Sequence, residues 1–251
     1  MRVFLTGASS GIGEALARHY AARGATLGLV ARRADRLEAI KSSLGGTIET
    51  YAADVRDLPA MQAAAQAFLA KHGVPDLVIA NAGVSHGTLT EHADDIDVFR
   101  QILDINVIGM VNAFHPFVAP MREARRGTLA GIASVAGYRG LPGAGAYSAS
   151  KAAAIRYCES LRVELHGTGV RVATICPGYI ATPMTAKNPY PMPFIISADE
   201  FSRRFARAIE AGRDYAVIPW QMAIVAKLLA VLPNALFDAA FSRAGRKPRK
   251  G

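Results

Sequence analysis

The 251-residue chain is poor in cysteine, in aromatics and in uninterrupted apolar runs. Its two cysteines, Cys158 and Cys176, cannot build a disulfide framework, which excludes the small stapled scaffolds of oxidising compartments. Charged residues make up only 20% against 51% hydrophobic, which excludes a disordered chain. Aromatics at 8% leave a core of aliphatic side chains, alanine and glycine. His86, His92, His115 and His166 share no metal-ligand spacing, and no cysteine stands near them in sequence, so no metal site is expected. Crossing a bilayer takes about 20 apolar residues in a row. The most apolar stretch, Tyr215 to Phe241, is interrupted by Lys227 and Asp238 and broken at Pro233. No signal peptide precedes the first apolar run, and the expected location is cytoplasmic. A fixed-period repeat and a low-complexity linker are also missing, so residues 1–251 read as a single domain. The formal charge of +9 suggests nucleic acid at first sight. Five of the cations, Arg243, Arg246, Lys247, Arg249 and Lys250, crowd the last nine residues, and the rest of the chain mixes acids with bases. That distribution makes no nucleic-acid face.

What is present is an alternation. Short apolar runs occur at Arg2–Thr6, Thr26–Ala31, Thr47–Ala53, Asp76–Ala80, Gly127–Ala133, Val170–Cys176 and Tyr215–Ile218. Each is nearly continuous in Val, Ile, Leu or Ala, the pattern of a strand buried on both faces. Between them Gly11–Gly24, Ala34–Leu44, Leu58–Gly73, Asp94–Ala124 and Ala146–Gly167 carry apolar residues at helical spacing. The alternation predicts an α/β fold: a Rossmann-like, doubly wound parallel sheet of about seven strands with helices on both faces. Residues 182–196 hold Pro183, Pro189, Pro191 and Pro193, which forbids a helix there and suggests a substrate lid. Residues 220–251 form an apolar extension, helical in period up to Phe241, with a basic tail.

The first strand ends in Thr6-Gly7-Ala8-Ser9-Ser10-Gly11-Ile12-Gly13, and a helix follows. Gly7 permits a tight turn, Gly11 lets the backbone approach a phosphate, and Gly13 lets the helix pack close to the sheet. The helix N-terminus offers free N–H groups and a positive dipole end to a pyrophosphate. At the first β–α junction of a βαβ unit, this loop points to a dinucleotide site.

The spacing of these glycines resembles the Thr-Gly-xxx-Gly-x-Gly signature of the short-chain dehydrogenase/reductase family. Further motifs follow in family order from residue 2 to about 218: Asp54-Val55, Asn81-Ala82-Gly83, Asp104-Ile105-Asn106-Val107, Ile132-Ala133-Ser134, Tyr147-Ser148-Ala149-Ser150-Lys151 and Pro177-Gly178-Tyr179-Ile180-Ala181-Thr182. The resemblance implies a catalytic tetrad of Asn106, Ser134, Tyr147 and Lys151. It also implies that Asp54 lies against an adenine ring, with Val55 beside it, and that Asn81, Ala82 and Gly83 border the cofactor. Pro177, Gly178, Ile180 and Thr182 would hold the nicotinamide end. Ser9, Ser10 and Ile12 complete the phosphate loop.

Tyr147 and Lys151, four residues apart, share a helix face. A nearby ammonium lowers a phenol's pKa from about 10, so Tyr147 is expected to act as general acid or base. By the resemblance, Lys151 also reaches the nicotinamide ribose, Ser134 holds the substrate oxygen and Asn106 binds a water linking Lys151 to solvent. The second strand ends in Arg32-Arg33, where an NAD enzyme commonly carries an acid. Guanidinium groups suit a 2′-phosphate, so NADP(H) is expected in preference to NAD(H). The expected substrate-binding residues are Ser134, Ala136, Leu141, Tyr147, Tyr179 and Met184, and their lining favours an apolar ketone, aldehyde or secondary alcohol. Two alternatives share these motifs: a 3-oxoacyl carrier-protein reductase and a non-catalytic NADP-sensing protein.

Asp94, Asp95 and Asp97 read as a solvated helix start, and Cys158 as a small buried hydrophobe. The helices near 101–121 and 146–165 are more apolar than one wet face requires, and the family packs them across a two-fold axis, so a homodimer is expected. For residues 220–251 two readings stand. The helix–break–helix covers the substrate pocket or a neighbour while the basic tail frays in solvent, or an apolar face and tail cations together make a peripheral membrane contact.

Overall fold

A computed structural model describes residues 1–249. In chain order the elements are β1 (Arg2–Thr6), α1 (Gly11–Ala21), β2 (Thr26–Ala31), α2 (Ala34–Leu44), β3 (Ile48–Ala52), α3 (Leu58–His72), β4 (Leu77–Ala80) and α4 (Asp94–Leu103). A π-helical turn, Asp104–Ile108, joins α4 to α5 (Gly109–Ala124). Then come β5 (Thr128–Ile132), a 3₁₀ turn at Val135–Gly137, α6 (Gly145–Glu164), β6 (Arg171–Pro177), β7 (Ile180–Ala181) and β8 (Ile196–Ser197). The chain continues through α7 (Ala198–Glu210), β9 (Tyr215–Ile218), α8 (Gln221–Val231) and α9 (Asn234–Phe241).

The main sheet has seven parallel strands in the order β3-β2-β1-β4-β5-β6-β9. Side chains alternate across it with period two. Val3 and Leu5 of β1 enter a core under α1, α2 and α7, with Leu16, Phe201 and Phe205. Phe4 enters the opposite core under α3, α5 and α6, with Phe68, Phe114 and Phe117. Both faces are therefore buried, which is why the strands read as continuous apolar runs. Strand order reverses at β1, which pairs β2 on one side and β4 on the other. The crevice beyond the C-terminal ends of these strands is where a doubly wound sheet holds its ligand.

Three features differ from the sequence reading. The helix α7 lies directly after the proline-rich segment and was not among the predicted helices. Ser197 accepts from Glu200 N at 3.1 Å, and Phe201, Phe205, Ala208 and Ile209 line the buried face. The capping pattern and the i, i+4, i+8 spacing were the available signals. Second, the span expected as one helix over Asp94–Ala124 is interrupted by the π-helical turn, and Asn106 sits inside that turn. Third, Asp95 is no solvated helix start: it is 2% exposed, and its Oδ2 accepts from Leu89 N and Arg249 Nε, each at 2.8 Å.

Asp94–Glu123 is long and apolar enough by composition to cross a membrane, yet half of that window is buried inside the fold. Helices α8 and α9 meet at 118° across Pro233, so they are not one straight span.

Candidate active site

A cavity of about 440 Å³ opens beyond the ends of β1, β2 and β4. The glycine loop from Gly7 to Gly13 forms one wall, with Ser9, Ser10, Gly11 and Ile12 on it. Arg32 and Arg33 flank that end, followed by Asp54 and Val55, then Asn81, Ala82 and Gly83. Tyr147, Lys151, Pro177, Gly178, Ile180 and Thr182 line the other end. Thus every residue expected to meet a cofactor borders this one cavity.

The glycine loop is held by β4. Thr6 Oγ1 accepts from Asn81 N and Ala82 N at 3.1 and 3.2 Å, and Asn81 Nδ2 donates to Thr6 O and Gly7 O at 3.0 and 3.2 Å. Gly7 has φ +69°, and a Cβ there would lie 2.7 Å from Ala82 Cα. A Cβ at Gly13 would run into the Gly7 carbonyl oxygen and lie 2.7 Å from Asn81 Nδ2. The space a side chain would fill is left open where α1 begins and its first N–H groups lack intrahelical partners. Arg33 Nη2 reaches Ser9 Oγ at 3.1 Å, so a guanidinium borders the same loop. The Arg56 guanidinium grips Asp54 at 2.7–3.1 Å and holds its carboxyl below the usual range. Donor N–H groups, two arginines and a glycine loop that leaves room beside them fit a dinucleotide.

The four tetrad residues converge at the far end, though Asn106 lies behind the cavity wall rather than on it. Ser134 follows β5, is buried, and its Oγ accepts from Ala136 N at 3.1 Å. Lys151, 4% exposed, donates to Ile132 O at 2.8 Å, and its Nζ lies 5.8 Å from the Tyr147 ring centroid. Burial lowers the Lys151 ammonium to about 8. Burial also pushes the Tyr147 phenol above the usual tyrosine value, with a hydrogen bond from Ser134 pulling the other way. This corrects the expected lowering: a desolvated phenolate costs more than the ammonium returns while that ammonium serves the Ile132 carbonyl. Asn106, 1% exposed, accepts from Val84 N at 2.8 Å and donates to Val84 O at 3.0 Å and Ser150 Oγ at 2.9 Å. Its side chain braces the turn after β4 against α6.

A family model described as short chain dehydrogenase matches residues 1–191. An uncharacterized oxidoreductase from Myxococcus xanthus is 41% identical over 242 residues, covering 95% of each chain. The chain belongs to the short-chain dehydrogenase family. A sulfoacetaldehyde reductase from Chromohalobacter salexigens is 37% identical to this dehydrogenase over 186 residues, 73% of this chain and 74% of the relative. Among solved structures, an alcohol dehydrogenase from the archaeon Thermococcus sibiricus, complexed with 5-hydroxy-NADP, superposes with a TM-score of 0.77 at 26% identity. That match covers 86% of this chain and 95% of the other. The protein is therefore an oxidoreductase of this family with a Rossmann-like fold.

At the substrate end the dehydrogenase departs from the sequence reading. Ser134, Tyr147 and Met184 line the cavity, as do Val84 and Pro183. Ala136, Leu141 and Tyr179 do not: Ala136 is buried behind Ser134, Leu141 N lies 3.4 Å from Ser148 Oγ, and Tyr179 packs on Tyr190 with ring centroids 6.4 Å apart. The elbow between α8 and α9 is pinned over the loop after Ser134. Arg139 donates to Asn234 Oδ1 at 2.7 Å and stacks its guanidinium 4.5 Å from the Phe237 ring centroid. Beyond the elbow the basic tail is docked rather than frayed. Lys247 Nζ donates to Ser85 Oγ at 2.8 Å, and Arg249 pairs with Asp95. Sequence spacing gave no signal for these contacts, since their partners lie about 150 residues away. Lys250, also a tail cation, falls outside the described residues.

Proposed function

We propose that this dehydrogenase interconverts a carbonyl and an alcohol using NADP(H), with Tyr147 as general acid and base. The observation that carries the reading is the convergence of Ser134, Tyr147 and Lys151 at one end of a cavity flanked by Arg32 and Arg33 at the other. Bound there, the nicotinamide supplies or accepts a hydride. The chain's own residues handle the oxygen and its proton. The raised phenol value keeps Tyr147 protonated at neutral pH, so Tyr147 Oη donates to a carbonyl oxygen during reduction and takes the proton back during oxidation. Ser134 Oγ holds that oxygen by a hydrogen bond. Lys151, charged below about pH 8, stabilises the phenolate left behind. Asn106 acts as a positioning residue that braces the turn after β4 against α6, in place of the water-holding role its motif implied.

Arg32 and Arg33 stand where a 2′-phosphate would need charge, and guanidinium forks suit it. Val84, Pro183 and Met184 give the substrate end an apolar component. Fluorescence titration with NADPH and NADH tests the cofactor; equal or tighter NADH binding refutes the phosphate reading. Tyr147→Phe tests the chemistry: turnover on a panel of aldehydes and ketones is lost while NADPH binding holds. A wild-type panel with no turnover and tight NADPH binding would favour a cofactor-sensing protein instead.

We further infer a homodimer across the outer face of α4, α5 and α6. Ile108 is 49% exposed there and Val163 63%, on helices whose inner faces are already satisfied by the core. The two buried, unpaired cysteines suit a reducing cytoplasm. A membrane contact keeps one of its two arguments, the exposed Ile224, Leu228 and Val231 on α8 with Trp220 just before it. Lys247 and Arg249 are engaged by Ser85 and Asp95, which removes two of its cations. Flotation with anionic vesicles at low salt tests that contact.

A further inference from the structure

We propose that the C-terminal tail is a wall of the substrate site, and that Lys247 on it receives an anionic group, a carboxylate or sulfonate, carried by the carbonyl substrate. The inference rests on the reading of Tyr147 as the group that handles the substrate oxygen.

The tail is fixed on both sides of Lys247. Upstream, Gly245 packs on Tyr190 of the lid, where an added Cβ would lie 3.4 Å from Tyr190 Cβ. Downstream, Pro248 O accepts from Gly87 N at 2.9 Å, and Gly87 and Arg249 form a parallel bridge. A Cβ at Gly87 would run into the Lys247 carbonyl oxygen, so the loop after β4 is shaped to admit the tail. The Arg249 guanidinium then closes on the buried Asp95 carboxylate at 2.8 Å. A frayed tail has no use for a glycine cleft and a buried counter-ion.

These anchors deliver one cation to the chemistry. Lys247 Nζ lies 5.7 Å from the Tyr147 ring centroid. An ammonium has three protons to give. One goes to Ser85 Oγ at 2.8 Å, and among the described residues no carboxylate faces the other two. Burial lowers the group to about 8, with no acid nearby to oppose it. Half-burying an unpaired charge costs free energy unless a partner arrives. Tyr147 and Ser134 already fix where the carbonyl oxygen sits. A short substrate with its carbonyl at Tyr147 and an anion at the other end would satisfy the free Lys247 protons. The apolar lining at Val84 and Met184 then meets the carbon chain between the two ends. The substrate is thus an anionic aldehyde or ketone, not a wholly apolar one.

The test uses the full chain, NADPH, and matched substrate pairs: 4-oxobutanoate against its methyl ester, and 2-oxoethanesulfonate against propanal. Wild type is expected to prefer the anion of a pair. A charge-assisted hydrogen bond at such a site sets the scale: Lys247→Gln should lower the anion-to-neutral ratio of kcat/KM about 10- to 100-fold, chiefly through KM. Lys247→Arg, which keeps the charge, should restore most of the ratio. Whichever pair carries the larger effect tells carboxylate from sulfonate. As an independent readout, succinate and ethanesulfonate should raise the melting temperature of wild type and not of Lys247→Gln. Equal losses on anion and neutral partner would reduce Lys247 to a tail fastener and overturn the proposal. So would a wild type with no anion preference and no anion-dependent melting shift. If no carbonyl turns over, the Tyr147 reading fails by itself, and the melting shifts alone decide on Lys247.

Discussion

Asn106→Ala separates a brace from a proton relay. In the structure the side chain is 1% exposed and holds three hydrogen bonds, two to the Val84 backbone and one to Ser150 Oγ. Ser150 Oγ in turn donates to the Tyr147 carbonyl at 2.7 Å, so the brace reaches the turn of α6 that carries Tyr147. Alanine removes three bonds worth about 1 kcal/mol each. It also strands the Val84 N–H, whose lost solvation adds about 1–3 kcal/mol. The expected loss is therefore ~4–6 kcal/mol, exceptional for a single substitution. In a chain of this size that is a fall of roughly 8–24 °C in Tm. Urea unfolding followed by circular dichroism, without cofactor, gives the number, and an unchanged m-value would show that the unfolded reference is the same. NADPH affinity should fall with stability, because the turn after β4 also borders the cofactor cavity. A loss under ~1 kcal/mol with turnover abolished would refute the brace and return Asn106 to the water-holding role.

Three further outcomes are expected. Gly13→Ala places a methyl group against the Gly7 carbonyl and Asn81, neither of which can retreat, so it should cost ~1–3 kcal/mol and weaken NADPH binding; native affinity by fluorescence titration would remove the glycine cradle from the argument. Lys151 has a folded value of about 8, below its unfolded value, and faces Tyr147 on its own helix and the thiols of Cys158 and Cys176. From about pH 8 toward 10 the unfolded chain binds more protons, so cofactor-free stability should rise over that window; Lys151→Met should flatten the rise, and identical slopes in urea titrations would count against the buried ammonium. Ile108→Glu should convert a dimer to a monomer by light scattering at micromolar concentration, and a wild-type monomer would end the dimer reading.

Much of the site was legible because its chemistry is local in sequence. Gly7, Gly11 and Gly13 sit in one loop, and Tyr147 and Lys151 in one helical turn, so spacing alone put them on common faces. The seven strands were legible for a related reason: burial on both faces forces continuous apolar runs, and every predicted strand is present to within a residue at each end. α7 had equally clear signals at Ser197, Phe201 and Phe205, hidden by the prolines before it rather than by physics. Asn106 stands out in its motif, but its partners at Val84 and Ser150 are 22 and 44 residues away, and no pattern announces such bonds.

The sequence by itself determined the alternation of strands and helices, the glycine loop, the arginine pair and the order of the tetrad, because each depends on neighbours within one turn or one strand. The tertiary structure alone decided what surrounds those residues. Burial turned the phenol of Tyr147 toward higher values against the local lysine argument. Packing put Ala136, Leu141 and Tyr179 outside the cavity they were expected to line. Above all, the fold returned a basic tail across the chain, to Ser85, Gly87 and Asp95, where two cations that looked solvated found partners. Desolvation and ion pairing depend on which distant groups share a volume, and only the folded chain defines that volume.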